Sequence, residues 1–163
     1  MLGKMKSMTL YMTTRVPVDN QYASLVGKAV YVFAYYEWTI IWIIEYLEPS
    51  FVGGYSRGNP MTSGAVQKRL QDVTNNLLTN YTSISRQELQ ACCDAFGSLI
   101  VKRNALIHAH PCTDADGAQI LAYQTKTSKP LPDMKWPKEE VIRIISEIDA
   151  AACNAAVVLD KIR

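Results

Sequence analysis

The run AVYVFAYYEWTIIWIIEYL, Ala29 to Leu47, limits the fold more than any other stretch of the chain. It is close to the ~20 residues that cross a bilayer, but Glu37 lies at its centre and Glu45 near its end. Charges at such depth are expensive in lipid. The run is also apolar on nearly every side of a helix, and such a helix belongs in a protein interior. Both constraints are met by a long, deeply buried helix from about Asn20 to Leu47 in a protein with no membrane partner. The opening MLGKMKSMTLYMTTR lacks the sustained apolar core of an export signal, so the expected location is cytoplasmic.

Three more helices are expected. Pro49 and VGGYSRGNP (Val52 to Pro60) break the first one decisively. A second helix then runs from about Ser63 to Leu78, with Val66, Leu70, Val73 and Leu77 on one face. Ser85 and Glu88 form a capping-box signature for the third. Its apolar line is Leu89, Cys93, Phe96, Ile100 and Ile107, and Arg103 fills the one gap. Pro137 with Glu139 and Glu140 opens the last helix, since proline and carboxylates suit a first turn. Its stripe is Val141, Ile145, Ile148, Ala152, Ala155, Leu159 and Ile162, with two alanines that permit close helix approach. Between the third and last helices lies PCTDADGAQILAYQTKTSKPLPDMKW, turn-rich with one strand-like run, AQILAYQT, which fits a small hairpin. Residues 1–19 read as an irregular arm. The whole, 1–163, is expected to be one all-α domain. Its architecture would be an antiparallel four-helix bundle with a hairpin-like insertion between the third and fourth long helices.

Several functions are disfavoured at this level. A formal charge of +2 is too small for a protein that coats nucleic acid, so any such contact must be local. The four cysteines include no CxxC, and His108 and His110 lack the cysteine spacing of a zinc site, so no metal or cofactor is expected. Walker, GxGxxG, HExxH and nucleophile-elbow patterns are absent.

Both histidines of the chain fall within VKRNALIHAHP, Val101 to Pro111. Arg103 occupies a core-facing position, and a buried arginine is costly unless an anion meets it. Two anions are available to it: the carboxylate of Glu37, which shares a face with Val30, Phe33, Ala34, Ile41 and Ile44, or a substrate phosphate. At ~100° per residue Asn104 and His108 lie one turn apart, and a continued helix would put His110 near the azimuth of Arg103.

RNALIH, Arg103 to His108, resembles the Arg-x4-6-His motif of the HEPN superfamily, the higher eukaryotic and prokaryotic nucleotide-binding domains. There the arginine is typically followed by a polar residue, here Asn104, and the motif ends the third helix of a four-helix bundle. His110 also falls within the permitted spacing, so either imidazole fits. Glu37 resembles, more loosely, a polar residue near the site in several HEPN groups. The resemblance implies a metal-independent endoribonuclease of a toxin–antitoxin or phage-defence system, with RNA as substrate and an antitoxin protein as possible partner. RNA brings its own nucleophile, the 2′-hydroxyl. His108 would move the proton, Arg103 would hold the scissile phosphate, and Asn104 would orient one of them. The products would be a 2′,3′-cyclic phosphate and a 5′-hydroxyl. A homodimer lining one cleft with two motifs is also implied, and the aromatic face from Tyr31 to Tyr46 would give a second copy something to cover. The competing reading is a non-catalytic HEPN-like domain that binds nucleotide, RNA or a partner protein. A purely structural helical protein with a chance motif is the third.

Overall fold

A computed structural model of the chain describes residues 17–56, 61–77, 83–124 and 134–163. The protein is mostly helical, and the described residues form five helices and one small sheet: α1 Asn20–Leu47, α2 Phe51–Ser56, α3 Ser63–Asn75, α4 Arg86–Ile107, β1 His110–Thr113, β2 Gln119–Tyr123, β3 Met134–Trp136 and α5 Lys138–Ile162. No helix among the described residues is long and apolar enough to cross a membrane. Of the expected irregular arm, only residues 17–19 lie within the described part, and they carry no regular structure.

Asp19 starts α1 by accepting hydrogen bonds from the backbone N–H groups of Gln21 and Tyr22. Farther along, Ile40, Ile41, Ile43 and Ile44 are all closed to solvent. At ~100° per residue, four such neighbours need cover around roughly half the helix or more. Of the elements packed on α1, α5 makes most of the contact, and α3, α2 and α4 add the rest. Ala152 and Ala155, both buried, let α5 come close. The rest of α5's expected stripe divides: Val141 and Ile148 are buried, whereas Ile145, Leu159 and Ile162 pack at its edge, and Ile144 and Val158 take the inner positions.

The expected break after Leu47 contains a helix. Glu45 folds forward and accepts hydrogen bonds from the N–H groups of Ser50 (3.1 Å) and Val52 (2.7 Å), which satisfies the start of α2. Those donors hold the Glu45 carboxyl below the usual carboxylate range. Ser50 accepts a left-handed φ of 81° to make the turn. α2 runs back along α1, where Tyr55 meets the ring of Trp38 at 6.3 Å.

That reversal corrects the expected alternation of helix directions. Both α1 and α5 begin at the sheet, where Tyr22 meets Trp136 and Lys138 meets Gln21, and both end together, with Arg163 against Tyr46. α4 runs the other way, since Glu88 near its start pairs with Lys161 and Lys102 near its end pairs with Glu147. α3 is antiparallel to α4, joined by Arg103 to Ser63 at one end and Gln90 to Gln71 toward the other. Thus α1, α3 and α5 share one direction and α4 opposes them. α2 has already turned the chain once before α3 starts.

The insertion is a three-stranded antiparallel meander in the order β1-β2-β3 rather than a lone hairpin. Gly117, at φ 83°, supplies the left-handed residue of the β1–β2 turn. The Tyr22 hydroxyl pins the sheet to α1, donating to the Trp136 carbonyl (2.6 Å) and accepting from Leu121 N–H (3.0 Å). His110 begins β1 and is not helical, so the expected placement of its imidazole above Arg103 does not occur. The four cysteines are unpaired thiols, and burial pushes Cys92 up to about 11.

An aromatic node joins α1 to α4: Phe96 stacks on Phe33 at 5.9 Å and meets Tyr36 edge-on at 5.4 Å. Phe96→Ala is therefore expected to cost about 3–5 kcal/mol in urea unfolding; a loss under ~1 kcal/mol would contradict the role of the node. At the start of α4 the full capping box is present. Lys161, and then the Ser85 backbone N–H and hydroxyl, hold the Glu88 carboxyl down at about 2. A depressed carboxylate stabilises the fold above its unfolded value of 4.5, and that contribution is lost as pH falls toward 2. In an NMR titration Glu88 is expected to titrate near 2, and to move up toward 4.5 in Lys161→Ala.

Candidate functional site

The core face of α4 carries Leu89, Cys93, Phe96 and Ile100, all buried, and arrives next at Arg103. Beyond it the buried residues are Ala105 and Leu106, while Ile107, expected on the stripe, is 40% exposed. The inner face has drifted round the helix by its last turn.

Arg103 is half-buried. Its guanidinium carbon stands 4.6 Å from the centre of the Phe33 ring, a cation–π arrangement. One terminal nitrogen, Nη2, donates to the hydroxyl of Ser63, and Nε is buried without an acceptor among the described residues. Ser63 is the first residue of α3, and the first turn of α3 carries no acid. The arginine therefore faces the positive end of a helix dipole. No ion pair joins it to Glu37 or to any other carboxylate among the described residues. A partly desolvated cation in that setting favours an incoming anion.

Glu37 sits one turn beyond Phe33 on α1 and is half-buried, with Oε1 closed off and no donor to it among the described residues. Of the residues expected to share its face, Phe33, Ile41 and Ile44 are buried, but Val30 and Ala34 are exposed. Tyr55 of α2 lies near the carboxylate; burial first, and then the charge of Glu37, raises its phenol pKa.

Asn104 is half-buried, and its carbonyl accepts the backbone N–H of His108 at 3.0 Å. His108 is the C-cap of α4, with an exposed side chain, and His110 is exposed at the start of β1. Five helical positions separate Arg103 from His108, about 140° of rotation. One chain thus turns the arginine inward and the imidazole outward, while Asn104 and His108 share a face. No three His, Cys, Asp or Glu side chains converge as a metal-ligand set among the described residues.

Ser63 and Phe33, the two residues that hold Arg103, were not singled out by sequence as site residues. Ser63 follows Thr62, whose hydroxyl caps α3 by accepting from Ala65 N–H, and the pair TS reads only as a helix start. Phe33 looks like any core aromatic.

No family model matches the chain, and neither curated proteins nor solved structures yield a significant match.

If Arg103 is kept for a ligand rather than for the fold, an apolar side chain of similar length should be tolerated. Arg103→Met is expected to change the unfolding free energy by less than ~1 kcal/mol or to raise it, because it removes a buried unpartnered nitrogen and a half-buried charge. A loss of several kcal/mol in urea unfolding would mark the arginine as structural.

Proposed function

We propose that this chain is a metal-independent endoribonuclease of the HEPN type, acting in a toxin–antitoxin or phage-defence system in the cytoplasm. The observation that carries the reading is the state of Arg103. It is held between Phe33 and Ser63 at the positive end of α3, has no carboxylate partner among the described residues, and lies within the RNALIH sequence. The scissile phosphate would be the anion it lacks. In this reading α1, α3, α4 and α5 make up the family's four-helix bundle, with α2 and the sheet as additions.

The proposed step is transfer within RNA. An imidazole, that of His108, takes the proton of the 2′-hydroxyl, whose oxygen attacks the adjacent phosphorus. The bond to the 5′-oxygen breaks, and that oxygen takes a proton from solvent water and leaves as a 5′-hydroxyl. A 2′,3′-cyclic phosphate remains. Arg103 donates to the non-bridging oxygens as charge grows on them, and Asn104, on the face of His108, orients the imidazole. Glu37 supports the site from the neighbouring turn, and His110 is the alternative imidazole.

A homodimer resolves the separation of Arg103 and His108 within one chain, because a two-fold axis can bring the arginine of one copy to the imidazole of the other. Exposure on α1 supports such an assembly. Tyr31 and Tyr35 are 76% and 65% exposed, and Trp38 and Tyr46 continue the same stripe. Monomers seldom leave so many large side chains uncovered on one helix. The second reading, a non-catalytic domain that binds nucleotide, RNA or an antitoxin protein, draws on the outward position of His108.

Arg103→Ala and His108→Ala are each expected to abolish RNA cleavage with the thermal transition retained, and EDTA to leave cleavage by the wild type unchanged. Sedimentation at micromolar concentration is expected to give a dimer, and an equimolar mixture of the two inactive variants to regain activity through its mixed dimers. Cleavage that survives both substitutions would remove the proposal. Loss in His110→Ala alone would move the proton transfer to that imidazole.

A further inference from the structure

A separate cleft of about 260 Å³ opens where the later part of α4, the first half of α5 and β3 meet. Its wall carries Lys102 from α4, Lys135 and Trp136 from β3, and Glu140, Arg143 and Glu147 from α5. Trp136 is only 4% exposed, and its indole Nε1 is closed to solvent with no acceptor among the described residues. An indole N–H donates and never accepts, so what this nitrogen lacks is an acceptor, and the cleft that Trp136 lines is where one can enter.

The charges that line the cleft point the same way. Three cations and two carboxylates line the cleft. Each cation leans on an acid: Lys102 on Glu147, Arg143 on Glu140, and Lys135 on Asp114 outside the wall. The Arg143 and Lys135 side chains are 64% and 68% exposed, and ion pairs of that exposure hold their members weakly. An anion with several oxygens can engage these cations and the indole donor together. Pockets that enclose whole small molecules run from ~300 Å³ upward, so this cleft suits one compact group. Nε1 is closed to solvent, so binding requires a rim side chain to swing, and Arg143 and Lys135 are the exposed ones.

We infer that this cleft is a phosphate-binding site, in which the Trp136 indole, Arg143 and Lys135 donate to phosphate oxygens and Lys102 adds charge from α4. The inference is independent of the ribonuclease reading, since it uses none of Arg103, Asn104 or His108. The phosphate has two sources, a free phosphate or mononucleotide and a phosphodiester of single-stranded RNA. The test separates them.

The full chain, labelled with ¹⁵N, has three indole N–H signals, from Trp38, Trp42 and Trp136. Trp136→Phe assigns the relevant one. Inorganic phosphate, adenosine monophosphate and a short oligouridylate are titrated at constant ionic strength against chloride. The expected result is a saturable downfield movement of the Trp136 signal, with the midpoint raised about tenfold or more in the Arg143→Gln, Lys135→Gln double variant. Should Trp136→Phe fail to fold, the double variant still carries the test, because both of its side chains lie at the surface; the diagnostic signal is then the one whose movement it weakens. A lower midpoint for the oligonucleotide makes the source a phosphodiester, and a lower midpoint for phosphate or the mononucleotide makes it a free phosphate. A Trp136 signal unmoved by all three, moved equally by chloride, or moved equally in the double variant overturns the site. Arg103→Ala serves as the control: it is expected to stop RNA cleavage while the movement with inorganic phosphate stays unchanged.

Discussion

The burial of α1 governs the rest of the molecule. Ile40, Ile41, Ile43 and Ile44 follow one another around the helix with no more than 1% exposure each, so no single neighbour can cover them. Burying each of these side chains is worth about 1.5–3 kcal/mol. That gain is available only if α5, α3 and α4 all reach α1. The route of the chain follows: α2 folds back, α3 rises beside α1, α4 descends, and the sheet returns the chain to the starting end for α5. The Tyr22 hydroxyl, bonded to β2 and β3 together, fixes the level at which that last ascent begins.

Against this apolar background the unsatisfied polar atoms stand out. Four buried side-chain atoms lack partners among the described residues: Tyr36 Oη, Glu37 Oε1, Arg103 Nε and Trp136 Nε1. Desolvation of that kind opposes folding by about 1–3 kcal/mol per group. At Arg103 and Trp136 the missing partner is an acceptor; Arg103 stands at the positive end of a helix, and the cleft that Trp136 lines carries three cations and two carboxylates. The tyrosine differs, because burial raises its pKa and keeps the phenol neutral.

Much of the helical framework was legible in the sequence, and the reasons are local. The long apolar run gives α1, and the Ser85–Glu88 box gives the start of α4, because a cap needs only residues within one turn. The direction of packing was not legible. A period of 3.6 residues identifies a face but says nothing about which way a neighbouring helix runs. α2 was missed because its N-terminal N–H groups are met by Glu45, inside the preceding helix. Arg103 was readable as a misfit in an apolar line. Its holders were not, since Ser63 and Phe33 come from other helices and look ordinary where they stand. The place of His110 failed for a related reason: the helical azimuth was extended past the point where His108 caps α4 and β1 begins.

The parallel pairing of α1 with α5 bears on how the chain is made. About ninety residues separate Leu47 from Lys138, so the main cover of α1 is synthesised long after α1 itself. At ~5–20 residues per second, α1 leaves the ribosome with its isoleucines uncovered for roughly ten seconds. Among the described residues, α2 and the α3–α4 hairpin, local in sequence, are the surfaces it can meet in that interval. An apolar helix displayed for so long is a natural client for chaperones, and a slowly translated stretch ahead of Lys138 would prolong its exposure to aggregation.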